Sequence, residues 1–141
     1  MPLKLSLKPG EKFVLNGAVV QNGDRRSSLL LQNKASVLRE KDIMQVDEVV
    51  SPARRIYFPV MMMYLDQVEG QRFHDEFIQR LSEFMGAVGN PDILTDCVNI
   101  SRHVMIKEYY KALMLCRKLI EYEDERLGNV APRLSAGGAA G

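Results

Sequence analysis

Apolar and polar residues alternate at the start of the chain, where Leu3, Leu5 and Leu7 interleave with Lys4, Ser6 and Lys8. A period of two is what a half-buried β-strand requires, since successive side chains point to opposite faces. Pro9-Gly10 closes that run, and further strand-length runs follow at residues 13–15, 18–21, 28–32 and 35–38. They are separated by Asn16-Gly17 and by Asn22-Gly23-Asp24. Both residues of an Asn-Gly pair accept positive φ, so the first of these breaks predicts a tight hairpin. Residues 1–50 are therefore predicted to form a small antiparallel β domain.

The period changes after Ser51-Pro52, a pairing suited to a helix N-cap followed by proline at the first helical position. Over 53–65 the pattern fits a helix that is kinked or restarted at Pro59, because proline removes one backbone donor and crowds the preceding turn. Phe73, Phe77, Leu81, Phe84 and Val88 then recur at steps of three and four, as in an amphipathic helix. Asn90-Pro91 opens a long helical run through Leu94, Cys97, Val98, Met105, Tyr109, Ala112, Cys116, Leu119 and Ile120 that Gly128 stops, with a break expected near 101–103. Residues 51–128 are predicted to be an α-helical domain serving dimerisation or partner docking. Residues 129–141 are too poor in large apolar side chains to bury much surface and read as a flexible tail. The fold class is α+β, strands first and helices after.

Composition adds few constraints. At 141 residues, 46% of them hydrophobic and 26% charged, the chain can bury one core or two small ones. No window approaches the roughly 18 uninterrupted apolar residues of a membrane helix, and the start lacks a signal-peptide pattern, so a cytoplasmic protein with no membrane association is expected. Charge is more informative. Residues 1–41 carry eight basic side chains against three acidic ones, a net of +5, while residues 42–141 carry 11 against 15, a net of −4. A basic strand region joined to an acidic helical region predicts a polyanion-facing module.

The search for reactive chemistry finds no catalytic residue, metal ligand set or cofactor motif. Cys97 and Cys116 stand 19 residues apart within one predicted helical run, roughly 28 Å along a continuous helix, far beyond disulfide reach. They read as buried apolar packing. His74 lies beside Asp75 and Glu76, but consecutive helix residues diverge and do not converge on one metal. His103 is isolated and reads as a boundary histidine. Glu121, Glu123, Asp124 and Glu125 read as a solvated acidic face, and Met61-Met62-Met63 as core.

The stretches M-P-L-K-L-S-L-K-P-G-E-K, N-G-A-V-V-Q-N-G-D, L-Q-N-K-A-S-V-L-R-E-K-D-I-M and P-A-R-R-I-Y-F-P-V-M-M-M-Y-L-D resemble the FlbT family of alphaproteobacterial flagellin-synthesis regulators over residues 1–128. The resemblance implies a non-enzymatic, post-transcriptional regulator acting on the 5′ untranslated region of flagellin mRNA. It lowers translation and message lifetime, and shares its circuit with a companion regulator, FlaF. A second resemblance is narrower. L-K-L-S-L-K-P-G-E and A-S-V-L-R-E-K-D-I are similar to the first and last strands of the carbon-storage-regulator (CsrA-type) RNA-binding fold. In that family the first strand of one subunit lies beside the last strand of the other, and leucine and arginine side chains grip RNA. The similarity implies that Arg39 is the gripping arginine and Leu5 the strand leucine. The chain departs from the pattern at Leu7, in the place of the first-strand arginine, and at Leu38, in the place of the histidine before the last-strand arginine.

The expected RNA-binding residues are Arg39, Lys4, Leu5, Lys8, Lys41, Arg25 and Arg26. The competing reading of Arg39-Glu40-Lys41-Asp42 is a solvated strand end with local charge pairing. A homo-oligomer, with a dimer as its simplest form, is expected because a 50-residue β unit has a marginal core and open strand edges. The alternative function is a protein-interaction regulator working through the helical half.

Overall fold

The computed structural model describes residues 3–128; the predicted tail at 129–141 lies outside the described residues. Five strands come first: β1 (Leu3–Leu7), β2 (Lys12–Leu15), β3 (Ala18–Gln21), β4 (Ser27–Leu31) and β5 (Val37–Arg39). Four helices follow: α1 (Arg54–Leu65), α2 (His74–Ala87), α3 (Pro91–Met105) and α4 (Tyr109–Glu123). The order is that of the α+β class, with strands in the N-terminal region and helices after it.

The strands form two antiparallel sheets, a β1–β4 ribbon and a three-stranded β3-β2-β5 sheet. Turn chemistry sets both. Asn16 and Gly17 take φ of 49° and 85°, the left-handed pair that a two-residue hairpin demands, and join β2 to β3. Gly10 has φ of 72° after Pro9, and Glu11 N–H donates to the Lys8 carbonyl at 3.1 Å, closing the β1–β2 turn. Register places Leu5 opposite Leu29 and Val14 opposite both Val19 and Leu38. Leu5, Leu7 and Phe13 are buried, as the alternation predicts. β1 and β5 belong to different sheets, so the side-by-side first and last strands of the CsrA-type arrangement are not found within this chain.

Ser51 Oγ accepts from Arg54 N–H at 3.4 Å where α1 begins. Pro59 lies inside α1, which runs unbroken through it, fully buried with Ile56, Val60 and Met63. The expected restart there does not occur. The Phe77, Leu81 and Phe84 stripe of α2 is buried in the core, and Phe73 meets Phe58 of α1 edge-on. Val14 of β2 and Leu38 of β5 share the core cluster of the helices, so the hydrophobic interior runs from the β3-β2-β5 sheet into the helical bundle.

The long C-terminal run breaks later than expected, between α3 and α4. Lys107 adopts φ of 63°, its N–H donates to the Val104 carbonyl at 3.0 Å, and Glu108 N–H donates to the His103 carbonyl at 2.8 Å. These two bonds are those of a Schellman cap, a position where glycine is the usual residue. A lysine gives no such signal in the sequence. Cys97 and Cys116 consequently sit on two packed helices rather than far apart on one. Both are buried free thiols, and burial pushes Cys97 up to about 11 and raises Cys116 as well. Neither is a thiolate at neutral pH.

Candidate nucleic-acid interface

The charged run that follows β5 is not paired locally. Arg39 Nη2 and Nε donate to Glu11 Oε2 at 2.8 and 3.2 Å, and Nη2 also donates to the Ser6 carbonyl of β1 at 2.6 Å. Glu40 Oε1 accepts from Lys12 N–H at 2.9 Å. Asp42 is buried and pairs with Arg117 of α4, while its carbonyl accepts from the buried Tyr57 hydroxyl at 2.6 Å. Three of the four charges therefore fasten distant segments, which displaces the reading of a strand end paired among its own neighbours. Arg39 does touch β1, through its side chain rather than through a strand ladder, and remains 33% exposed.

Glu11 also accepts from Lys8 N–H at 2.9 Å. That bond, and then Arg39, hold its carboxyl below the ordinary value of 4.5. Because the folded value is the lower one, the stabilisation is fully present above the ordinary value and is lost as pH falls through the folded one. Glu11→Gln is expected to be less stable than the parent at neutral pH and to lose less on acidification between about pH 6 and pH 3. Unfolding midpoints measured across that range check this; parallel curves for the two proteins would refute it.

The other predicted contacts fall in three places. Lys8, Arg25 and Arg26 come together at one end of the strands. The loop carrying the two arginines is pinned to the β1–β2 turn by Gly10 N–H to the Gly23 carbonyl at 2.8 Å and by Asn22 Nδ2 to the carbonyls of Lys8 at 2.8 Å and Arg25 at 2.9 Å. Lys8, Arg39 and Lys41 line a shallow depression of about 480 Å³ beside it. Lys4 lies opposite Leu30 on the exposed outer face of the β1–β4 ribbon. Leu5 points inward and is 6% exposed.

Between the strands and the helices runs a second groove, of about 670 Å³, lined by Leu3, Leu5, Lys34 and Arg39 on one side and Tyr64, Lys107, Tyr110 and Lys111 on the other. Tyr64 secures the wall, its hydroxyl donating to the Val37 carbonyl and accepting from Val37 N–H, both at 2.8 Å. Its ring packs against that of Tyr110, centroids 5.4 Å apart. Glu108, also on the wall, pairs with His103 at 2.9 Å and with Lys111 at 3.5 Å, so His103 is not isolated. The hydrogen bond to His103 leads the interactions that lower the Glu108 carboxyl. Lys34, Tyr64, Lys107, Tyr110 and Lys111 were absent from the sequence-based set. The run K-E-Y-Y-K at 107–111, two aromatics between lysines, is the signal that points to the last three.

The acidic end of α4 is a solvated face only in part, since Glu121 and Glu125 are exposed while Glu123 and Asp124 fasten α1. Glu123 is buried and accepts from Ala53 N–H at 2.9 Å at the start of α1, and Arg54 bonds Asp124 at 3.1 Å. Among the described residues no group of three or more His, Cys, Asp or Glu side chains is placed to hold a metal, and no helix is long and apolar enough to cross a membrane.

The sequence profile of the family described as Flagellar protein FlbT matches residues 3–127. The chain is 75% identical over 141 residues, all of both chains, to the flagellum biosynthesis repressor protein FlbT of Caulobacter vibrioides (strain ATCC 19089 / CIP 103742 / CB 15). It is 76% identical over 131 residues, 93% of this chain and 100% of the other, to the probable flagellum biosynthesis repressor protein FlbT of Caulobacter sp. (strain K31). A third relative, the probable flagellum biosynthesis repressor protein FlbT of Rhodopseudomonas palustris (strain TIE-1), is 37% identical over 127 residues, 90% of this chain and 98% of that one. No solved structure matches the chain. A profile match across nearly all of the described residues, together with relatives aligned end to end, establishes that the chain belongs to the FlbT family of flagellar proteins.

Proposed function

We propose that the chain is a non-enzymatic repressor of flagellin synthesis that binds the 5′ untranslated region of flagellin mRNA and lowers its translation and lifetime. Repression follows from the names of its relatives. RNA as the target rests on one observation, the disposition of the basic N-terminal charge. Of the eight cations in residues 1–41, Arg39 alone forms an ion pair among the described residues, and the other seven are exposed. Cations left unneutralised at the surface are those that release counterions from a phosphate backbone. Arg39 stands at the junction of the basic corner and the groove, lining both depressions. A guanidinium fixed there by Glu11 is preorganised to stack on an unpaired base or to pair with phosphate through its remaining edge.

The test is a titration of the full chain against a flagellin leader RNA at several salt concentrations. Binding is expected to weaken steeply with salt, with a logarithmic slope of roughly 0.7 per phosphate contacted on single-stranded RNA. Lys4→Ala, Lys8→Ala, Arg25→Ala, Arg26→Ala and Lys41→Ala should each flatten that slope. Arg39→Ala should cost about 1–3 kcal/mol of affinity. Glu11→Gln, which keeps an oxygen able to accept from the guanidinium while removing a charge that repels phosphate, should bind at least as tightly as the parent. Salt-insensitive binding, or none at micromolar protein, would defeat the RNA reading. In its place would stand a regulator that docks a protein such as the companion regulator FlaF. The Phe77–Phe84 stripe is consumed by the core, so that docking would use another surface of the helical half.

Self-association belongs to the same proposal. Leu3, Leu29 and Leu30 of the β1–β4 ribbon are exposed on a two-stranded sheet with open edges. A second copy covering them would give a dimer, which sedimentation of the sample used in the titration would detect.

A further inference from the structure

We propose that the α3–α4 corner is a base-stacking platform, with Tyr110 as its stacking ring and Lys107 and Lys111 as its phosphate contacts, so that the groove takes single-stranded rather than duplex RNA. The inference rests on the RNA reading above and adds to it a site on the helical half. Three independent features carry it. Tyr110 is 44% exposed at the wall of a groove whose volume of about 670 Å³ lies within the roughly 300–1,000 Å³ of ligand sites. Tyr64 packs against it at 5.4 Å and is itself fixed by two bonds to Val37, so the platform is held from behind. Lys34 and Arg39 face Lys107 and Lys111 across the cleft. The acids on the same walls are already engaged, Asp42 by Arg117 and Glu108 by His103; Lys111 also reaches Glu108, at 3.5 Å, but is 65% exposed and exchanges that looser contact for a phosphate. A cationic track beside an aromatic face is the construction that binds unpaired strands with little sequence preference, because every base has a π-face.

The third feature is the backbone at Lys107. Its φ of 63° lies in the left-handed region, where a residue with a Cβ is disfavoured by roughly 1–2 kcal/mol and glycine is at ease. Strain of this kind collects at functional positions. Here it sets a lysine in the groove wall where a glycine would cap α3 with less strain. The same fact separates folding from binding. Lys107→Gly is expected to fold at least as well as the parent, so any loss of RNA affinity belongs to the missing ammonium.

The experiment measures binding of the full chain and its variants to three fluorescent probes: a flagellin leader RNA, an unstructured 12-nucleotide oligouridylate, and a paired RNA duplex of the same length. Tyr110→Ala should weaken oligouridylate and leader binding by about 5- to 150-fold with an unchanged salt slope. Lys107→Gly and Lys111→Ala should each lower the salt slope by roughly 0.7, with unfolding midpoints at or near that of the parent. The duplex should bind more weakly than the oligouridylate and be insensitive to Tyr110→Ala. If the parent binds leader RNA in a salt-dependent manner but Tyr110→Ala and Lys107→Gly bind as tightly as it does, the platform is refuted while the RNA reading stands. If the parent binds none of the probes, both fall together.

Discussion

Gly70→Ala is expected to destabilise the protein by about 3 kcal/mol, the upper part of the range for forcing atoms into a packed interior. Gly70 is buried in the 3-10 turn Glu69–Phe73 that follows α1. A Cβ there would lie 2.5 Å from the Met62 carbonyl oxygen and 2.6 Å from Met63 Cα. Both are backbone atoms of α1 and cannot swing aside as a side chain would. The turn is held against the helix end by Gly70 N–H to the Asp66 carbonyl at 2.7 Å, and by Asp66 Oδ1, which accepts from Val68 and Glu69 N–H at 3.0 Å each. Relief therefore requires moving α1 or releasing these bonds. The requirement is for space alone, since Gly70 has no left-handed φ. Thermal unfolding should show a midpoint roughly 10 °C lower; a shift under about 2 °C would mean that the turn can move away from α1.

Arg117→Ala should cost about 2–3 kcal/mol. Breaking a buried ion pair from one side leaves the other charge without compensation, typically a loss of roughly 3–5 kcal/mol. The Asp42 side chain is 6% exposed, but that of Arg117 is 40% exposed, so water reaching the vacated position moves the expectation below that range. Removing both charges should be milder. Asp42→Asn combined with Arg117→Ala is expected to be more stable than Arg117→Ala alone, because the stranded carboxylate is gone. Urea unfolding with an unchanged denaturant slope measures both variants. If Arg117→Ala unfolds within about 0.5 kcal/mol of the parent, the pair does not fasten β5 to α4, and the sheet is held instead by Val14, Leu38, Tyr57 and the two Tyr64–Val37 bonds.

Local rules account for the elements that formed where the pattern placed them. The Asn16-Gly17 hairpin needs two residues tolerant of positive φ, and it has them. The start of α3 needs an acceptor for its free N–H groups, and Asn90 Oδ1 accepts from Asp92 and Ile93 N–H at 2.9 and 3.3 Å. Alternation in β1 turned Leu5 and Leu7 inward for the same reason: a strand buried on one face has a period of two. The α3–α4 break had no comparable signal. Val98 and Met105 keep helical spacing yet are exposed, because the stripe that α3 turns to the core is Ile93, Cys97, Ile100 and Val104.

The amino-acid order was enough for strand and helix identity, for the main turns, and for the accumulation of positive charge in the first 41 residues. Each of these depends on interactions within a few residues of chain. Pairing between distant segments is not encoded in that range. Arg39 joins Glu11 across 28 residues, Glu40 receives Lys12 N–H across 28, and Asp42 joins Arg117 across 75, although each has an oppositely charged neighbour within two positions. Likewise Lys34, Tyr64 and Tyr110 share one groove only because the sheet is packed on the bundle. An exposed neighbouring ion pair gains little in water, whereas a pair that closes a long loop at a partly buried seam gains from the packing already in place there. That selection among partners was made by the tertiary fold.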